Sequence, residues 1–140
     1  ELGHIGSTKD EAWAAYTKVA DAVKFVDETG VSALAIMVGT AHGKYKQAPV
    51  LAIDRIAEIH AATNAHLVLH GGSGVPDDQI CAAIKAGIRK NNFGTDVCCA
   101  FIETYAGLDP YAAPLDVVMA KAADAVEAFA LEKIRLLGAK

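Results

Sequence analysis

The chain has 140 residues, 53% of them hydrophobic and 21% charged, with a formal net charge of −4. So mild an acidity lends no support to binding of nucleic acid or of an anionic membrane surface, which call for basic patches. No apolar run approaches the roughly 20 residues of a spanning helix and no signal-like amino terminus is present, so a soluble, cytoplasmic protein is expected.

In chain order, Glu1-Leu2-Gly3 reads as the end of a strand. Thr8-Lys9-Asp10-Glu11 forms a possible capping box, and Ala15, Val19, Ala22 and Val26 make a helical stripe that runs up to Gly30. Val31 to Val38 (VSALAIMV) and His66 to Leu69 (HLVL) are short apolar runs without strict alternation, as in strands buried on both faces. Between them, Ala52, Ile56, Ile59 and Thr63 recur at helical spacing within Leu51 to Thr63. Pro76, Asp77 and Asp78 open a further helix that Gly87 closes, and a strand follows near Ile88. After a loop from Gly107 to Pro114, turning at Asp109-Pro110, a last helix carries Ala122, Val126, Phe129, Ala130, Ile134 and Leu137 on one stripe. Strand and helix alternate throughout, which predicts an α/β fold with a parallel sheet and right-handed crossovers.

In such folds the loops after the strands' carboxyl ends carry the chemistry, in open sheets and closed barrels alike. Three motifs fall there: Gly39-Thr40-Ala41-His42-Gly43, the HGGSG run opened by His70, and Asn92-Phe93-Gly94-Thr95-Asp96. Imidazoles on neighbouring strand ends can share an ion, and nitrogen ligands suit zinc better than magnesium or calcium. A catalytic zinc would need a third protein ligand and an open position; otherwise each histidine is a structural hydrogen-bonding residue. His66 starts the strand that His70 follows, on the order of 13 Å away at about 3.3 Å per residue, so it cannot join that site. His60 sits late in a helix as a solvated residue, and His4 lies in a loop.

Gly71, Gly72 and Gly74 around Ser73 let backbone amides converge, and the helix beginning near Pro76 adds its positive end, so an anion is favoured there. The competing reading is a tight strand-to-helix turn. Gly94-Thr95 repeats the device, and a metal beside phosphate grips implies a small phosphorylated substrate. Cys81, Cys98 and Cys99 lack a C-x-x-C pair and read as reduced, half-buried packing residues on helices. Trp13, Tyr16, Phe25, Phe101 and Phe129 read as packing residues, with Phe101 and Tyr105 candidates for a subunit contact.

GTAHGKY, LVLHGGSG and KNNFGTD, in this order, resemble the zinc-dependent class II fructose-bisphosphate aldolases, including relatives that cleave tagatose bisphosphate. The likeness extends to Glu1-Leu2-Gly3, to Tyr16-Thr17 leading into Phe25-Val26, and to Leu136-Leu137-Gly138, so it covers nearly the whole chain. It implies a TIM (β/α)8 barrel in which His42 and His70 are zinc ligands. Gly43, Gly71, Gly72, Ser73, Asn92, Phe93, Gly94 and Thr95 would hold the dihydroxyacetone phosphate portion of the substrate. Glu1 matches a glutamate that holds metal at a second, buried position. The implied reaction cleaves or forms a ketose 1,6-bisphosphate, fructose or tagatose, through a zinc-stabilised enediolate, with no Schiff-base lysine. Lys44, Lys46 and Lys90 are candidates for electrostatic support, or plain surface charges. A monovalent cation, Na+ or K+, and a homodimer or homotetramer are also implied.

A whole barrel takes about 250 residues, so residues 1–140 are expected to be the carboxyl-terminal half of one barrel domain, about four strand-helix units. The third zinc histidine, the aspartate that handles the aldehyde oxygen and other acid-base residues are then expected outside this chain. Gly6 passes directly to Ser7, where the family carries an acidic loop about ten residues longer, of the mobile, active-site kind. Glu11 could stand in for that loop's glutamate or merely cap a helix. The 140 residues are accordingly expected to be the ordered part of a longer polypeptide. Two other classes fit the motifs: a sugar-phosphate isomerase or epimerase with histidines as acid and base, and a non-catalytic phosphate-binding half-barrel.

Overall fold

The computed structural model describes residues 1–3, 16–43, 45–109 and 111–138. The capping box at 8–11, Glu11, His4, Trp13, the junction of Gly6 with Ser7, Lys44 and Pro110 lie outside them. The chain divides into two compact units, Glu1–Asn92 and Phe93–Lys140.

The first unit contains helix α1 (Val19–Thr29), strand β1 (Ala33–Ala35), helix α2 (Ile53–Ala62), strand β2 (His66–Leu69), helix α3 (Asp77–Ala86) and strand β3 (Ile88–Asn91). The strands form one sheet in the order β1-β2-β3 and every pairing is parallel, as the alternation of elements predicts. Ala33 pairs with His66 and Leu67 with Ile88, with a register irregularity at Leu67/Val68. Leu2 adds a parallel bridge to Ile36: its N–H donates to the Ala35 carbonyl at 2.8 Å, and Met37 N–H donates to the Leu2 carbonyl at 3.3 Å. Leu2 is therefore paired alongside β1 through an isolated bridge, where the sequence suggested the end of a strand.

Continuous burial from Leu34 to Val38 shows that both faces of β1 are covered. That is the signature of a sheet flanked by helices. Ile56 and Ile59 from α2 and Ile80 from α3 are fully buried with Leu34, Ile36, Leu67 and Leu69. The regular part of β1 is shorter than the apolar run at 31–38; beyond it Ile36 bonds to Val68 of β2 and bridges Leu2. The helix boundaries follow local chemistry. Gly30 closes α1 at φ 66°, and its N–H caps the Val26 carbonyl at 2.8 Å. Pro76 stands immediately ahead of α3 and Gly87, at φ 129°, just past it.

The stripe that the sequence carries from Ala15 to Val26 does not form one helix: Tyr16, Thr17 and Lys18 are not helical, and Lys18 is extended at φ −80°, ψ 145°. Thr17 accounts for the break. Its N–H donates to the Met37 carbonyl at 2.9 Å, its Oγ1 accepts from Met37 N–H at 2.8 Å, and the same hydroxyl donates to the Leu2 carbonyl. A residue tied to two strands in this way cannot enter the helix, and the helix begins at Val19.

The second unit pairs helix α4 (Gly94–Ala106) with helix α5 (Leu115–Leu136). Val118 and Ala122 are buried, whereas Ile134, placed on the same stripe by spacing, is 45% exposed. The Phe93 and Phe129 rings meet edge to face at 6.2 Å, with Lys133 Nζ 5.9 and 5.7 Å from their centroids. Phe101 and Tyr105 stack on each other at 6.4 Å. Cys81 and Cys99 are half-buried as expected, but Cys98 is exposed. Among the described residues, no helix is long and apolar enough to cross a membrane.

Thr17→Val removes the hydroxyl and leaves buried groups at Leu2 and Met37 without that partner. It is expected to cost about 1–3 kcal/mol, with Thr17→Ser recovering most of the loss, as read by urea denaturation.

Candidate metal centre

Parallel strands end on the same rim. His70 follows β2 directly, His42 stands in the loop that leaves β1, and Glu1 precedes the residue bridged to Ile36. Glu1 Oε2 lies 3.1 Å from His70 Nδ1, and the His42 and His70 ring centroids are 6.0 Å apart with planes tilted by 53°. One donor atom from each of the three residues can be chosen so that all lie within 4.8 Å of one another. Donors around a tetrahedral zinc stand about 3.4 Å apart when each is about 2.1 Å from the ion, so small side-chain rotations would close this set. Two imidazoles and a carboxylate are the donor chemistry of catalytic zinc and a poor match for magnesium or calcium, which prefer oxygen. The residues present thus fit the ion.

The structure brings together both sequence-predicted histidines and adds Glu1. The Glu1 side chain, which the family likeness puts at a second metal position, is 33% exposed in this chain and contacts His70. The Leu2 bridge to Ile36 carries Glu1 to the strand ends beside His70. His66 begins β2 at the far end from His70, and exposed His60 lies against Gly87, so neither joins, as expected.

The glycines of HGGSG have reasons of their own. Gly71 adopts φ 64°, and a Cβ there would collide with the Ala41 carbonyl, so the loop bearing His42 can approach only a bare backbone. A Cβ at Gly72 would run into the Asn91 carboxamide. The Gly72 N–H, expected to face an anion, instead donates to the Asn92 carbonyl at 3.0 Å. Strand-end pairing thus engages that amide. The positive end of α3 is likewise complemented by Asp77 and Asp78 in its first turn. Ser73 is buried. Gly43, at φ 97°, borders open space.

Asn92 is held firmly. Its N–H donates to the Leu69 carbonyl at 3.2 Å and to Asn91 Oδ1 at 2.9 Å, and its Oδ1 accepts from Lys90 Nζ at 2.6 Å. Lys90 is therefore engaged with a candidate site residue, whereas Lys46 is plainly exposed. Phe93, Gly94 and Thr95 belong to the second unit, where Phe93 precedes α4 and Gly94 opens it.

Spacing gave no role to Tyr45, yet its hydroxyl accepts from Ala41 N–H at 2.7 Å and lies 2.7 Å from the Ala41 carbonyl and 2.8 Å from the Gly71 carbonyl, to which it donates. Burial pushes the phenol above its ordinary value, and the Ala41 backbone contact pulls it partly back. Gln79 was missed in the same way: its Oε1 accepts from Leu51 N–H at 2.7 Å and its Nε2 donates to the Pro49 carbonyl at 2.8 Å, tying α3 to the approach to α2. Contacts of this kind join residues distant in sequence and leave no periodic trace.

The family model for fructose-bisphosphate aldolase class-II matches residues 1–140. The chain belongs to this family. It is 47% identical over 108 residues to the sulfofructosephosphate aldolase of Alkalicoccus urumqiensis, across 74% of this chain and 38% of that protein. Identity is 45% over 103 residues to the 6-phospho-5-dehydro-2-deoxy-D-gluconate aldolase of Shouchella clausii (strain KSM-K16), across 72% and 35%. The crystal structure of the YdjI aldolase from Escherichia coli K12 superposes with a TM-score of 0.82 at 35% identity, across 90% of this chain and 47% of that one. The class II aldolase chain described here thus spans less than half the length of these relatives, and its parallel strands and crossover helices are consistent with part of their barrel.

Gly71 and Gly43 both need positive φ, but only Gly71 is crowded. Gly43→Ala is expected to cost about 1–2 kcal/mol from its backbone alone. Gly71→Ala should exceed that by about 2 kcal/mol, since it adds a collision with Ala41, as measured by urea denaturation.

Proposed function

We propose that this chain is the carboxyl-terminal half of a single (β/α)8 barrel domain, residues 1–140, of a zinc-dependent aldolase that cleaves a phosphorylated ketose. The convergence of Glu1, His42 and His70 within 4.8 Å carries the reading. His42 and His70 would be the imidazole ligands, with the Glu1 carboxylate supplying an oxygen beside them. When bound, the metal supplies Lewis-acid polarisation of a substrate oxygen, which makes the adjacent carbon's proton easier to remove.

The chain's own residues would hold the three-carbon, phosphate-bearing portion. Lys90 engages Asn92 Oδ1, which leaves the Asn92 carboxamide N–H groups as donors for a substrate oxygen. Gly43, Gly71 and Ser73 line the same rim from the two histidine loops, with Gly72 shaping it through its tie to Asn92. The motif, rather than geometry, assigns Phe93, Gly94 and Thr95 to phosphate, and the family likeness alone adds a monovalent cation and a homodimer or homotetramer. None of these residues is assigned the proton transfer.

Fructose and tagatose 1,6-bisphosphates are the substrates that the motifs favour. The names of the two relatives describe molecules with one phosphate and a second acidic group, a sulfonate in one case and a carboxylate in the other. A cleavage panel should therefore span distal phosphate, sulfonate and carboxylate.

The protein is expected to carry near-stoichiometric zinc and to lose cleavage with its metal under chelation. His70→Ala should reduce zinc content at least tenfold with circular dichroism unchanged, since His70 follows the strand and stands outside the core. Full zinc retention in the variant, or full cleavage by metal-free protein, overturns the reading.

A further inference from the structure

Among the described residues the Tyr45 hydroxyl bonds to backbone groups at two places, Ala41 and Gly71. Ala41 immediately precedes His42, and Gly71 immediately follows His70. One oxygen thus joins the two loops at the residues adjoining the candidate ligands. Its acceptor capacity is used by Ala41 N–H, and its single proton is shared between two carbonyls, of which the one at Gly71 spans the loops. The ring also fills the space beside Gly74, where a Cβ would lie 3.2 Å from Tyr45 Cδ2.

This arrangement fits a particular need. His42 stands in an irregular loop six residues beyond the Ile36 bridge and is exposed, so the sheet register that fixes His70 does not fix His42. Gly71 lets the Ala41 backbone come close, but closeness alone leaves the loop free to slide. We propose that Tyr45 is a positioning residue that sets the separation of His42 and His70 and so pre-organises the metal centre through Ala41 and Gly71. The proposal rests on the metal reading above. Tyr45 neither binds the ion nor meets substrate; it acts through the two histidines.

Cobalt(II) titration of the protein tests this, because the visible absorption of the bound ion reports ligand number and geometry. Tyr45→Phe keeps the ring against Gly74 and removes only the oxygen. It is expected to weaken cobalt binding at least tenfold and to change the shape of the absorption band. Ile56→Val, a core change in α2 away from the rim, should melt lower yet keep the parent's affinity and band. Tyr45→Phe binding cobalt as the parent does overturns the proposal, and so does an equal loss in both variants, which would mark a general effect of stability. Should Tyr45→Phe fail to fold, hydrogen exchange of the Ala41 amide in the parent decides: zinc should slow it at least tenfold, and an unchanged rate overturns the role. A parent that takes up no cobalt removes the metal centre itself, an outcome distinct from a parent that binds and a variant that binds equally well.

Discussion

The Glu1 carboxylate and the His70 imidazole are 3.1 Å apart although 69 residues separate them, and parallel strand registry makes this possible. A parallel sheet cannot turn back on itself; each strand re-enters at the same end after a crossover helix, so every carboxyl end reaches one rim. The Leu2–Ile36 bridge sets the height of Glu1, and the pairing of β1 with β2 sets that of His70. Thr17 seals the Leu2 edge from the side, bonding to both Leu2 and Met37. A slip in that registry would carry Glu1 out of reach of His70, so the fold's hydrogen-bond ladder and the site's geometry are one constraint.

That constraint also explains which parts were legible in the sequence. Helix α2 was legible because it buries one stripe with Ile56 and Ile59, and α3 because Pro76, Asp77 and Asp78 open it and Gly87 closes it. The separation of His66 from His70 followed from strand rise alone. The two histidines of the centre could be picked out because strand ends are where α/β folds place chemistry. Glu1 came from the family likeness, and its exposed position beside His70 required the bridge to be seen. The break at Tyr16–Lys18 was not legible, since a stripe with helical period carries no mark of the bonds that pull Thr17 onto the strands. Tyr45 and Gln79 eluded the reading for the same reason: a side chain that caps a distant backbone group has no preferred spacing.

The glycines of the HGGSG run also answer to packing. Convergent bare amides predict an anion cradle, yet Gly71 is bare because Ala41 must approach and Gly72 because Asn91 occupies the space where its Cβ would be. The Gly72 amide is already paired with Asn92. Glycine in this loop therefore first builds the rim, bringing the His42 loop, the His70 loop and the end of β3 into contact within one unit. The carboxamide of Asn92, whose Oδ1 accepts from Lys90 Nζ, stands at the end of β3 beside this packing. A loop assembled this tightly is also rigid, which favours a site whose donors do not have to reorganise when ligand arrives.

Two relatives whose names describe different acids, one a sulfonate and one a carboxylate, are almost equally similar to this chain, at 47% and 45% identity. Both matches cover a little over a third of the relative, so similarity over this stretch does not rank one distal group above the other. The features that the chain itself assembles are three potential donors within 4.8 Å of one another and an asparagine bonded to a lysine. The polar contacts of the rim are also made through backbone carbonyls and amides at Ala41, Gly71 and Gly72, which tolerate change of side chain nearby. A rim held by main-chain groups keeps its shape while the side chains around it vary, which uncouples the spacing of Glu1, His42 and His70 from the identity of their neighbours.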